Sequence, residues 1–248
     1  MRTYKIIIAY DGSRYQGWQR QVLTDRTIEQ VLEESAERLL GYPVELDGSG
    51  RTDSGVHARG QVASMQVAGL LKESFPEEWN RILPEDIRVR ELVLMPGGFH
   101  ARYSAMGKRY RYLVDTRAVP SVFHRRYACH YPKVLDVKAM RAASGYLVGT
   151  HDFSAFTDDG SGKSKVRTIY DIGITVEGSM MELSFCGTGF LYHMVRILAG
   201  TLLQVGAGEL AASDVLEMLE KKERNLAGFL APAKGLCLEE VYYEEKKR

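Results

Sequence analysis

The sequence lacks several features that mark whole protein classes. No apolar run approaches the roughly 20 residues that span a bilayer, so a membrane helix is not expected. Met1-Arg2-Thr3-Tyr4 leads straight into the short Lys5-Ile-Ile-Ile-Ala9, too brief for a signal peptide and without a cleavage site, and a cytoplasmic protein is the expectation. There are only three cysteines, Cys129, Cys186 and Cys237, too scattered for a Cys-x-x-Cys pair. They suggest buried or inert thiols, not a disulfide framework or a common zinc site. His57, His100, His151 and His193 show no zinc-ligand spacing and read as structural or surface histidines. No Gly-x-Ser-x-Gly elbow, P-loop or Gly-x-Gly-x-x-Gly before a helix occurs. The site to be sought is therefore expected to need no metal and no cofactor.

An excess of charge of one sign is also missing, with 33 basic against 32 acidic residues and a net charge of +1. This balance is uneven along the chain. Arg102, Lys108, Arg109, Arg111, His124, Arg125 and Arg126 crowd one segment, while Glu73, Glu77, Glu78 and Glu85 crowd another. Net charge therefore leaves a polyanionic partner open. The 248 residues, 45% hydrophobic and 26% charged, fit one large domain or two of modest size. Asp158–Lys163 is the most loop-like stretch, and Glu244–Arg248 reads as a charged, solvated tail.

Hydrophobic spacing sets the expected order of elements. A buried strand is predicted over 4–10, then a helix opened by the capping-box pattern Thr27-Ile-Glu-Gln30, with Ile28, Val31, Leu32, Ala36, Leu39 and Leu40 on one face. Gly41 and Pro43 stop it. A short strand over 44–46, a half-buried alternating strand over 61–67, a helical region over 69–83 and a strand over 87–95 follow. This is the β-α-β-β-α-β order of a ferredoxin-like half. Strands over 108–115, 166–176, 180–186 and 236–243, with helices over 137–147 and 190–205, repeat it, and a short extra helix is expected over 213–220. The expected fold is α+β, with halves 1–105 and 106–248 and a cleft between them as the natural place for a site.

Four segments could carry chemistry. In Gly48-Ser-Gly-Arg-Thr-Asp-Ser-Gly-Val-His-Ala58 the glycines permit a strained turn that presents Asp53 beside Arg51, making Asp53 a candidate nucleophile or base. From spacing alone an Asx-turn at Asp53 and Ser54 is the commoner explanation. Tyr10–Gln21 mixes aromatic, amide and basic residues with glycines, as a nucleotide-binding surface would; the alternative is a turn-rich loop with one buried Trp. In Lys108-Arg-Tyr-Arg-Tyr112, Tyr110 and Tyr112 share one strand face; a tyrosine there can stack on a base, although an ordinary core tyrosine is the commoner explanation from sequence alone. Arg196, four residues after Tyr192 in an apolar stretch, needs a carboxylate or an anionic ligand, and Asp53 is one candidate.

Taken together and in order, these segments resemble the tRNA pseudouridine synthase A family over nearly the whole chain. The resemblance rests on Tyr10-Asp-Gly-Ser13, Gly17-Trp-Gln19, Gly50–Ala58, Phe99-His-Ala-Arg102 and Lys108–Tyr112. It continues through His151-Asp-Phe-Ser-Ala-Phe156, Gly189-Phe-Leu-Tyr-His-Met-Val-Arg196 and Ala231-Pro-Ala-Lys-Gly-Leu236. Ser13 stands where Thr is usual and Ser54 where Ala is usual. The resemblance implies a homodimer, two ferredoxin-like halves joined around a basic cleft, and conversion of uridine to pseudouridine at tRNA positions 38, 39 and 40 without a cofactor. It implies that Asp53 is the nucleophile, Arg196 its partner, Tyr110 a contact to the target uracil, and Arg51 the residue that displaces the base. Attack at C1′, addition to C6 and removal of the 2′-proton stay open as first steps. A glycosidic hydrolase would want a second carboxylate in a comparable setting. A silent RNA-binding protein would not need Arg51-Thr52-Asp53, and a paralogue acting on another RNA would.

Overall fold

Thr27 opens the first helix as its sequence context requires. In the computed structural model, which describes residues 1–244, its hydroxyl accepts the Gln30 N–H at 3.4 Å, and Gly41 closes the helix in the left-handed region. Only half of the capping box forms, because the Gln30 side chain turns outward to Glu34. The charged tail read at 244–248 lies outside the described residues except for Glu244.

The chain divides into two compact units, Met1–Met106 with the chain from Cys237 onward, and Gly107–Leu236. The first begins with β1 (Arg2–Tyr10), α1 (Ile28–Leu40), β2 (Leu46–Gly48), β3 (His57–Val67), α2 (Phe75–Ile82) and β4 (Ile87–Met95). Its strands run antiparallel in the order β4-β1-β3, with β2 on the far edge of β3, which is the ferredoxin-like arrangement. Tyr4, Ile6, Ile8 and Tyr10 alternate inward along β1, and they are buried, as are Ile28 and Leu32 of α1 and Trp79 of α2. The Trp79 indole N–H is satisfied there by Ser35 Oγ at 2.7 Å.

Two expectations change. The strand read as half-buried over 61–67 begins at His57 and is buried along almost its whole length. Its second face is covered too: Ser64 Oγ accepts the Ala101 N–H at 3.1 Å, and Gln61 is enclosed by Ser49 and Gly50. The helical region over 69–83 shrinks to Phe75–Ile82, since Pro76 suits only the first turn of a helix.

The second unit contains β5 (Gly107–Asp115), β6 (Cys129–His130), α3 (Val137–Leu147), β7 (Gly149–Asp152), β8 (Val166–Glu177), β9 (Met180–Gly187), α4 (Met194–Gly206) and α5 (Asp214–Lys221). β9 lies antiparallel between β5 and β8, β7 extends the β8 edge, and β6 runs parallel to β5. The short β6 and β7 carry too little pattern to be read from sequence. α4 is buried nearly all round, as its unbroken apolar composition demands. The last strand, β10 (Leu236–Tyr242), returns to the first unit, where Cys237 and Leu238 pair in parallel with His57 and Ala58 of β3. The fold is α+β with mostly antiparallel strands and five α-helices among the described residues. None of those helices is long and apolar enough to cross a membrane. All three cysteines are buried thiols, and burial raises that of Cys129.

Candidate active site

The loop joining β2 to β3 is held by the loop that follows β1. Thr52, almost wholly buried, shares a hydrogen bond with the Tyr10 hydroxyl at 2.7 Å, and its carbonyl accepts the Trp18 N–H at 3.0 Å. The Gly55 N–H reaches the Tyr15 carbonyl at 3.3 Å, the Ser54 hydroxyl donates to the same carbonyl at 3.2 Å, and the Gly12 N–H donates to His57 Nδ1 at 3.1 Å. The approach is tight enough that a Cβ on Gly17 would lie 2.6 Å from the Thr52 carbonyl oxygen, and Gly17 sits at φ +89°. The two segments singled out separately in the sequence are therefore one physical object.

The turn at Asp53–Val56 is closed through the backbone, with the Val56 N–H on the Asp53 carbonyl at 3.1 Å and Gly55 supplying φ +78°. A backbone-closed turn of this kind does not require an Asx side-chain bond. Asp53 is half-buried, while Arg51 and Ser54 are exposed on either side of the anchored Thr52.

Glu29 is a participant that sequence reasoning missed. Its carboxylate accepts the Trp18 indole N–H at 3.0 Å and the Arg20 N–H at 2.7 Å, which fixes the Trp18 loop to the first turn of α1. Burial raises the Glu29 carboxyl above its ordinary value, against those hydrogen bonds and the Arg51 guanidinium, which favour its charged form. The signal available in sequence was an acidic side chain in the first turn of the helix that Thr27 opens. At the other end of the same loop, Arg14 Nε and the Tyr15 hydroxyl both bind Asp86, at 2.8 and 2.6 Å.

Tyr110 and Arg196 lie in the second unit. Tyr110 sits in β5 opposite Phe185 of β9, buried, with its ring edge-on to Phe190 at a centroid distance of 5.3 Å. Tyr112, two residues on and on the same face, donates its hydroxyl to the Pro232 carbonyl at 2.9 Å. Burial raises that phenol strongly, against the nearby Arg196 cation. Arg196 Nε donates to the Ala231 carbonyl at 2.7 Å, and the Ala231 N–H returns a bond to the Arg196 carbonyl at 3.3 Å. Residues 231–235 consequently tie β5 and α4 together and set the direction of the Arg196 side chain. A Cβ on Gly235 would meet the Tyr112 ring at 2.7 Å, which explains why the segment ends in glycine.

α4 starts at Met194, later than the spacing predicts, because His193 takes φ +64° and ends the preceding turn. Its Nδ1 contacts Asp158 at 2.6 Å, and Arg224 Nε donates to the other oxygen of that carboxylate at 2.8 Å. Burial works to raise the Asp158 carboxyl, but those two partners win and hold it below its ordinary value. His100 Nδ1 accepts the Arg102 N–H, and His151 Nε2 lies 3.0 Å from the Val148 carbonyl, so both serve their own loops. Among the described residues no group of three or more His, Cys, Asp or Glu side chains converges as a metal site would.

Comparison with known proteins places these features in context. Residues 6–104 and 143–244 match the profile of a family described as tRNA pseudouridine synthase. A tRNA pseudouridine synthase A from Acetivibrio thermocellus is 44% identical over 245 residues, 98% of this chain and 100% of that protein. Proteins of the same name from Geobacter sp. and Clostridium kluyveri are 44% and 43% identical, over 99% and 98% of this chain and 100% of each relative.

Proposed function

Because the chain belongs to the tRNA pseudouridine synthase family, we propose that it converts uridine to pseudouridine in tRNA, at positions 38, 39 and 40 of the anticodon stem-loop, as a cytoplasmic homodimer. Asp53 is the nucleophile, Arg51 displaces the target base from the stack, Tyr110 contacts the detached uracil, and Arg196 balances the carboxylate. The reaction breaks the N1–C1′ bond, turns the uracil and joins C5 to C1′; C5 gives up its proton and N1 ends protonated. No atom is gained or lost.

The observation that carries this reading is the bracing of the Asp53 loop. Buried bonds from Tyr10 and Trp18 fix Thr52, so its neighbours Arg51 and Asp53 are held in a defined backbone. A fixed carboxylate can meet a sugar or base carbon without losing conformational entropy at the moment of reaction. A base in a helix must first leave the stack at a cost of a few kcal/mol. An exposed guanidinium two residues away can fill the vacancy, and a tyrosine ring can hold the extruded base.

Asp53→Asn tests the reading with little change in size. Pseudouridine formation on an unmodified tRNA transcript is expected to fall by at least about 10³-fold, with tRNA affinity kept within a few fold because phosphate contacts dominate binding. Mapping of the product should find pseudouridine at 38–40 and no released uracil. Undiminished turnover by the variant defeats the role of Asp53, and free uracil in place of pseudouridine defeats the reaction.

A further inference from the structure

Residues 116–128, between β5 and β6, contain Arg117, His124, Arg125 and Arg126 and no aspartate or glutamate. The segment is firmly built. Asp115, almost fully buried at its root, accepts from Arg117 Nε at 2.8 Å, from Arg117 Nη2 at 3.0 Å and from the Ser121 N–H at 3.0 Å. The Thr116 N–H reaches the Ser179 carbonyl, the Tyr127 and Ala128 N–H groups both reach the His124 carbonyl, and Arg125 Nη1 folds back on the Val122 carbonyl at 2.7 Å.

This framework holds Phe123 out with 86% of its surface exposed, flanked by exposed Val122, Arg125 and Arg126. A phenylalanine left in water by a slack tail needs no explanation, whereas one held out by a hydrogen-bonded loop marks a surface for a partner. We propose that the Phe123–Arg126 tip is a docking surface for tRNA, with the ring stacked on an unpaired base and Arg125 and Arg126 on adjacent phosphates. The proposal rests on the tRNA-modifying reading above and assigns part of its substrate recognition to a segment which that reading leaves unused. Charge selects RNA over a second copy of the chain. An isologous contact centred on the tip would bring two copies of the same basic, acid-free segment into one interface, while a phosphate backbone complements it. Aromatic and basic side chains together, without acids, also suit stacking on single-stranded nucleic acid.

The test uses the full chain and an unmodified tRNA transcript. Binding is measured over a salt series, the single-turnover rate at saturating transcript, and the oligomeric state by sedimentation. Phe123→Ala is expected to weaken tRNA binding roughly 5- to 100-fold, and Phe123→Trp to restore it, because stacking accepts either ring. Replacing Arg125 and Arg126 by alanine should lower the slope of log affinity against log salt by about 1.4, the value for two single-strand phosphates. The single-turnover rate and the sedimentation of every variant should match wild type. Wild-type affinity and slope in these variants overturn the proposal, as does a loss of affinity accompanied by altered sedimentation, which would give the loop to a second copy. A wild-type protein that binds tRNA but forms no pseudouridine defeats the proposed reaction alone, since the binding measurements still report on the loop.

Discussion

Two backbone positions in left-handed conformation stand beside the functional residues, and they are filled in opposite ways. Gly17 in the first unit, at φ +89°, lets the loop after β1 lie directly on the Thr52 carbonyl. His193 in the second unit, at φ +64°, carries a full side chain and uses it to reach Asp158. Where backbone must meet backbone, only the absence of a Cβ permits the approach. Where a helix must be started at a set point, a strained residue is held by a side-chain contact to a carboxylate. The Asp53 loop is thus fixed by close backbone contact, and the start of α4 by side-chain contacts, from His193 to Asp158 and from Arg196 to the Ala231 carbonyl.

The largest effect is expected from breaking the first device. In Gly17→Ala the new methyl meets the Thr52 carbonyl oxygen at 2.6 Å in a conformation that alanine disfavours. Strain and overpacking together should cost about 2–4 kcal/mol. Because the clash falls on the residue before Asp53, pseudouridine formation should fall even at temperatures where the variant remains folded. Urea denaturation with a single-turnover assay on the folded fraction checks both parts. A variant as stable and active as wild type would show that the loops can separate without consequence.

The sequence made the first device more legible than the second. Glycines, Arg51-Thr52-Asp53 and the Tyr10–Gln21 segment stand out because their unusual composition serves local geometry, and the strands over 87–95 and the helix over 137–147 fall where periodicity places them. What sequence hides is pairing. Nothing in Thr52 announces a buried hydroxyl bonded to Tyr10, and nothing in Leu236–Tyr242 says that Cys237 will lie beside His57. The spacing puts the start of α4 too early because Phe190, Leu191 and Tyr192 continue its apolar pattern, whereas the turn at His193 is made in contact with Asp158, 35 residues away in sequence, a carboxylate it shares with Arg224.

A smaller effect is expected where the second unit relies on charge at the root of the β5–β6 loop. Hydrogen bonding from Arg117, then the N–H groups of Ser121 and Arg117, outweighs burial and depresses the Asp115 carboxyl well below its usual range. A carboxyl depressed in the folded state contributes stability that is fully present above its unfolded pKa of about 3.9 and is lost as pH falls further. Wild-type stability should therefore decline as pH drops below about 5, in part through Asp115. Asp115→Asn should lose about 1–2 kcal/mol at neutral pH, a figure moderated by the solvent-facing side of Arg117. The difference from wild type should shrink in acid. A constant difference from pH 7 to pH 2 would show that the carboxylate's charge contributes nothing.

The finest test returns to His193, because it separates strain from the Asp158 contact at one position. Both His193→Ala and His193→Gly remove the contact to Asp158 and leave Arg224 on that carboxylate. Only alanine keeps a Cβ in the left-handed region, which costs on the order of 1 kcal/mol, while glycine relieves it at the expense of a more flexible unfolded chain. If φ +64° is imposed by the turn before α4, His193→Gly should be the more stable of the two by somewhat under about 1 kcal/mol in thermal or urea unfolding. If the Asp158 contact itself pulls the backbone into that conformation, both variants relax to ordinary φ and the order reverses, with His193→Ala the more stable by about 0.4–1 kcal/mol. The first outcome makes the helix start a property of the chain around it, as at Gly17; the second makes it a property of the Asp158 contact.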